Sequence, residues 1–150
     1  FGITEYAQPS GGCCYLIQKV YARRLRDFLA HEGQKALDNA QAELLAVARH
    51  LRLPTGRKVI VGRDERENAY LASSAVQGPR LLTLDHPGPT TLMPGRPSRE
   101  EIEQAARITA SYCDGKDEPT VRVAVHHPEA PVEVISVAPL PREAVHQLMV

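Results

Sequence analysis

Tryptophan is absent from this chain, and its 150 residues hold only two phenylalanines and five tyrosines. Recognition dominated by ring stacking is therefore not expected. Cysteine is scarce: Cys13, Cys14 and Cys113. An odd count with one adjacent pair makes a poor disulfide framework, which points to a reducing, cytoplasmic setting. No Cys-x-x-Cys spacing occurs, so no structural metal site is expected. Net charge is absent, because 18 Lys and Arg balance 18 Asp and Glu. That excludes wholesale electrostatic binding to a polyanion and leaves room for a local basic face. No apolar run approaches the roughly 20 residues of a membrane span, and the N-terminus carries no signal-peptide pattern. The sequence opens on Phe1 rather than methionine, which reads as a trimmed chain or the tail of a longer protein, with room for an active centre outside it.

What is present is an uneven spread of charge. Residues 1–75 hold 11 Lys and Arg against 8 Asp and Glu, whereas residues 76–150 hold 7 against 10. Lys19, Arg23, Arg24 and Arg26 form one basic group, and Arg49, Arg52, Arg57, Lys58, Arg63 and Arg66 another. A solvated surface explains such groups as readily as a ligand does.

Residues 1–15 read as turn-rich, punctuated by Pro9, Ser10, Gly11 and Gly12. A helix is predicted over 16–31, with Ile17, Val20, Tyr21, Leu25, Phe28 and Leu29 at three- and four-residue spacing, and Gly33 ends it. A second helical patch, AELLAVARHL, is predicted over 40–53 and stopped by Pro54. RKVIVG reads as a strand. Asp64 caps a further helix, with Glu67 as its reciprocal partner. Short strands are predicted at 81–84 and 90–93 around a Pro/Gly-rich connection. A helix over 98–112 starts at Ser98 with Glu101 in a capping box. It should bury Ile102, Ala105, Ala106, Thr109 and Tyr112. TVRVAV and residues 132–138 complete a sheet, and PREAVHQLM reads as a short last helix. The expected class is α+β, a small mixed or antiparallel sheet packed against helices around a single core.

The stretch PSGGCC at 9–14 invites comparison with an ATP pyrophosphate loop. Such a loop needs Ser-Gly-Gly-x-Asp-Ser between a buried strand and a helix. Here Cys14 and Tyr15 stand where Asp and Ser are required, and no apolar strand precedes Pro9. The chain thus has no recognisable ATP site, and no cofactor is expected. Cys13 or Cys14 is the nucleophile candidate, as a thiol with a lowered pKa ahead of a helix, and Cys13 is the one carried forward. A simple turn with cysteines packed as small apolar groups is the competing reading. His126-His127 point to opposite faces of a strand, Asp85-His86 is one pair on a loop, and Asp64, Glu65 and Glu67 suit a helix start. None of these makes a catalytic constellation.

Several stretches taken together are similar to known proteins. PSGGCCYLIQKVYARRLRDFL resembles the junction after the catalytic part of tRNA thiouridylase-like proteins (the ThiI and MnmA relatives). ELLAVARHLRLPTGRKVIVGRDERENAYL, DHPGPTTLM and EEIEQAARITASYCDGK resemble the segments that come next in those proteins. From residue 58 on, the order also resembles the RNA-binding NFACT-R domain. Its motifs stand here as Gly62-Arg63…Asn68, Pro87-Gly88 and Ala105-Ala106…Ala110-Ser111-Tyr112-Cys113. The sequence departs from the pattern at Cys113, Cys14, Tyr15 and Asp64.

The resemblance implies residues 1–35 as a turn-and-helix junction from a catalytic region and 36–150 as an NFACT-R-like RNA-binding domain. It implies a non-catalytic module that binds tRNA for a thiolation protein, with RNA and a catalytic region as partners and no membrane. Arg49, His50, Lys58, Arg63, Arg66 and Asn68 are then the candidate RNA-binding residues, with Lys19, Arg23 and Arg26 on the first helix. Arginine and lysine would neutralise phosphates, so backbone and shape are the expected basis of recognition. Tyr21 and Tyr70 are candidate stacking platforms, with core positions as their plainer reading. Two alternatives remain. One is sulfur transfer in tRNA thiolation through Cys13, and the other is a docking domain for a catalytic partner region.

Overall fold

The structure, a computed structural model, describes the backbone of residues 11–150 and the side chains from residue 18 onward. The chain forms one compact unit that ends at Ala46 and a second over Val47–Val150. In the first, α1 spans Gly11–His31 and α2 spans Asn39–Leu44. Helix α1 begins five residues ahead of the predicted start, so Gly11 to Tyr15 are helical rather than a turn. First-turn N–H groups have no partner within a helix in any case, which softens the penalty of glycine there. Gly33 follows the helix with φ 87°, as its freedom from a Cβ allows. Asp38 caps α2 by accepting from the Gln41 N–H at 2.8 Å. Two side chains tie α1 to α2: the Tyr21 hydroxyl donates to Ala42 O at 3.1 Å and buried Arg24 donates to Leu45 O at 3.0 Å.

The second unit holds strands β1 (Arg49–Arg52), β2 (Lys58–Val61), β3 (Arg80–Thr83), β4 (Thr91–Leu92), β5 (Val121–His126) and β6 (Glu133–Val137). Its helices are α3 (Glu65–Ser73), α4 (Arg99–Ser111) and α5 (Arg142–Gln147). The strands form one sheet in the order β1-β2-β4-β3-β5-β6, antiparallel throughout. The class is α+β. Among the described residues no helix is long and apolar enough to cross a membrane.

One prediction is overturned here. Residues 49–52 form a strand, not the end of a helix. Helix α2 stops at Leu44, and Ala48, with φ 67°, turns the chain. Pro54, Thr55 and Gly56 then fold it into a hairpin in which His50 faces Ile60 and Leu51 faces Val59. Leu51 and Leu53, two apart, face the core together. The apolar residues of this stretch fit a helical period, but the pairing with RKVIV decides the outcome.

Period two sets the rest of the sheet. Val121, Val123 and Val125 point to one face of β5, opposite Val137 and Ile135 of β6 and beside Leu81 of β3. Helix α4 packs against β3, β5 and β6 on that face. Its Ile102, Ala105, Ala106 and Ile108 join the valines in one core. Each fully buried valine or isoleucine contributes about 2 kcal/mol relative to exposure. Alanines at 105 and 106 keep the helix close to the sheet. Thr109 is buried too, sharing a hydroxyl bond of 2.7 Å with Thr91. Tyr112 ends only partly buried.

The start of α4 carries the predicted capping box, Ser98 with Glu101. Glu101 does more than cap. Its carboxylate accepts from the Thr55 hydroxyl at 2.5 Å, from Ser98 N–H at 2.8 Å and from Arg57 Nε at 3.2 Å. These bonds, the one from Thr55 first, hold its pKa below the usual carboxylate range. The β1–β2 turn is thereby fastened to the helix. Glu101→Ala should destabilise the protein by roughly 1–2 kcal/mol in urea unfolding. An unchanged midpoint would show that the fastening carries no stability.

Candidate nucleic-acid interface

Antiparallel pairing brings the start of β1, the end of β2, the start of β4, the end of β3 and the start of β5 to one end of the sheet. The C-terminus of α4 reaches the same end. Three sequence motifs separated by tens of residues therefore meet there. The Gly62 N–H donates to Thr90 O at 3.0 Å, and Asn68 Oδ1 accepts from Thr90 N–H at the same length. A Cβ on Gly62 would collide with Asn68 Oδ1. Glycine and asparagine are thus two halves of one fitting that holds α3 against the end of β4.

The DHPGP loop is fitted to the end of α4 in a similar way. A Cβ on Gly88 would lie 2.6 Å from Cys113 Cβ, and one on Gly115 would collide with the His86 ring. Asp114 N–H donates to Pro87 O at 2.8 Å, and Thr83 Oγ1 donates to His86 O at 2.7 Å. Cys113 is buried and its Sγ accepts from Gly115 N–H at 3.2 Å. Asp85 holds Arg122 through two bonds of 2.6 and 2.8 Å at the rim, which lowers the Asp85 pKa and raises that of Arg122.

Cations line one side of this end. Arg49, half-buried on β1, donates to Gly62 O at 2.9 Å, and its guanidinium lies 4.3 Å above the centre of the Tyr112 ring. Burial lowers its pKa. Arg63, exposed, grips Glu67 with two bonds of 2.9 and 3.1 Å. Asp64 caps α3 through Glu67 N–H at 2.9 Å. The reciprocal bond differs from the prediction. Glu67 accepts from Arg63 N–H, one residue ahead of the cap, because Arg63 folds back over it. Arg66 is exposed on α3 and lines a cavity of about 550 Å³ with Asp64, Glu67, Tyr70 and Ser73.

The remaining candidates fall elsewhere. His50 is 1% exposed, with Nε2 3.0 Å from Val47 O, and Lys58 is 6% exposed, so both sit inside the fold and neither presents a charge to solvent. Asn68 spends its side-chain oxygen on Thr90 and acts as a strut. Lys19, Arg23 and Arg26 are exposed on α1, in the other compact unit. Tyr21 is anchored through its hydroxyl. Cys13 lies in the first turn of α1, outside the described side chains. Among the described residues, no three His, Cys, Asp or Glu side chains gather as a metal site needs. Tyr112 beneath Arg49 could be read only as a helix-end residue in the sequence.

No curated protein matches the chain. Among solved structures, the fold is similar to the C-terminal part of the fibronectin/fibrinogen-binding protein from Streptococcus suis, with a TM-score of 0.61 and 14% identity. That match covers 89% of this chain and 61% of the other, so the chain spans less than two thirds of its structural neighbour. The sequence pattern of the NFACT protein RNA binding domain matches residues 48–149. That match covers more than half of the chain and takes in every motif gathered at the end of the sheet: the chain belongs to the NFACT RNA-binding domain family.

Proposed function

We propose that this chain is a non-catalytic RNA-binding module that reads backbone and shape. The observation that carries the reading is the meeting of Gly62-Arg63…Asn68, Pro87-Gly88 and Tyr112-Cys113 at one sheet end beside Arg49, Arg63 and Arg66. Rigid glycine-fitted loops and a cationic flank suit a folded RNA whose phosphates approach a preformed surface. The scarcity of aromatic residues argues for phosphate contact over base stacking. The tRNA-thiolation setting is the finer part of the proposal. It is supported by the resemblance of the segment around PSGGCC to the thiouridylase junction.

The test is binding of the 150-residue chain to unmodified tRNA at several salt concentrations. Arg63→Ala with Arg66→Ala should weaken binding to all folded RNAs alike and lower the log–log salt slope by about two. Circular dichroism checks that the double variant is folded. Unchanged affinity and slope would remove this flank from the interface.

A further inference from the structure

On α3, Arg66, Ala69, Tyr70 and Ser73 stand at i, i+3, i+4 and i+7, so they share one side of the helix. With Val47, Asp64 and Glu67 they line one cavity of about 550 Å³. That volume lies within the roughly 300–1,000 Å³ of small-molecule sites. Both walls are fixed. On the helix side, Asp64 caps α3, and Asn68 Oδ1 accepts from Thr90 N–H at 3.0 Å. On the other side, His50 Nε2 lies 3.0 Å from Val47 O, and Ala48 N–H donates to the Glu67 carboxylate. Ala69 is exposed and carries only a methyl, so the space above it stays open between the longer side chains of Arg66 and half-buried Tyr70.

The lining is chemically mixed, with Val47 and Ala69 as its aliphatic residues. Glu67 spends both carboxylate oxygens on Arg63. Ser73 Oγ donates to Ala69 O at 2.9 Å. Asp64 Oδ1 takes the Glu67 N–H, which leaves Oδ2 for a donor. A ligand is therefore offered one ring, one carboxylate oxygen and, from Arg66, one exposed guanidinium. An apolar peptide side chain would find little to bury against. A nucleotide meets all three with a planar base, the N–H groups of the base edge and a phosphate.

We propose that this cavity holds a single unpaired nucleotide of the bound RNA, with its base against the Tyr70 ring, a base N–H on Asp64 and its phosphate at Arg66. The proposal rests on the RNA-binding reading and adds a base site to the cationic flank, with which it shares Arg66. One ring suits one base, so phosphate contact still dominates the affinity, as the aromatic-poor composition requires.

The test compares the wild-type chain with Tyr70→Ala, Tyr70→Phe and Ala69→Leu on two probes, an RNA hairpin with a single-stranded loop and a blunt, fully paired RNA duplex. Tyr70→Ala should raise Kd for the hairpin about tenfold and leave Kd for the duplex unchanged, because a stacked base is lost and no phosphate contact is. The salt slope should hold on both probes. Tyr70→Phe keeps the ring and should recover most of the hairpin affinity. Ala69→Leu fills the space from an exposed position and should reproduce the loss with Tyr70 intact. If Tyr70→Ala and Ala69→Leu leave hairpin binding at the wild-type value, or weaken both probes alike, the nucleotide site is wrong and the RNA reading stands. If the wild type binds neither probe at low salt, the RNA reading falls and the site falls with it. Melting temperatures check that each variant is folded.

Discussion

Gly62→Ala is expected to destabilise the protein by ~3 kcal/mol in equilibrium unfolding. The new methyl has nowhere to go. It would meet Asn68 Oδ1 head-on and lie 3.1 Å from Asn68 N. The side chain can yield only by swinging away, and Thr90 N–H then loses its acceptor at a residue 5% exposed. An unsatisfied buried N–H costs about 1–3 kcal/mol, and overpacking a tight site adds a similar amount. Asn68→Ala alone should cost ~2 kcal/mol through the same lost bond. Once Asn68 is gone, the methyl at 62 has room, and its added cost should fall to about 1 kcal/mol. A double-mutant cycle therefore discriminates sharply. A coupling of ~2 kcal/mol identifies glycine and asparagine as one fitting, whereas additive effects would mean that the motif pair acts through separate causes.

The motif pair shows what was legible in the sequence and what was not. Gly62 and Asn68 were visible as a pattern, yet the reason for them lies in the third partner, Thr90, which only strand pairing brings near. The helix over Arg99–Ser111 was readable almost to the residue, because its capping box and apolar period are local. The strand at Arg49–Arg52 was not, because Leu51 and Leu53 fit either period and the deciding contacts come from β2 and from Met149 at the far end of the chain. For the candidate site the same division holds. Arg63 and Arg66 are exposed by a local helix start. His50 and Lys58 occupy directly paired strands, and the inward turn of a polar side chain there depends on what lies above the sheet. Arg49 and Tyr112 are remote in sequence, so the guanidinium over the ring follows from how β1 and the end of α4 meet.

Glu67 is the residue whose chemistry most depends on that assembly, and its effect on stability should carry a pH signature. Its carboxylate takes the Arg63 side chain and the backbone N–H groups of Arg63 and Ala48. The bond from Arg63 first, and then the backbone bonds against the opposing effect of burial, hold its pKa at about 2, below the usual 4.5. A depressed carboxylate pKa means that the unfolded chain takes up a proton first. The stabilisation is therefore complete above about pH 4.5 and is lost as pH falls toward 2. Half of the Arg63 side chain is in solvent, which screens the pair, so the ionic part is worth ~1–2 kcal/mol rather than the full shift. Glu67→Gln keeps the shape, removes the charge and turns an amide N–H₂ toward donors. It should lower stability by ~2 kcal/mol at pH 7, with the deficit shrinking steadily between about pH 5 and pH 2. Urea midpoints across that range provide the measurement. A deficit that does not change with pH would place the role of Glu67 in its shape alone. A deficit that vanishes in acid would show that the charge on Glu67 holds the Arg63 turn and the left-handed backbone at Ala48 in place. The same carboxylate that neutralises Arg63 would then be what keeps that cation aligned beside Arg49.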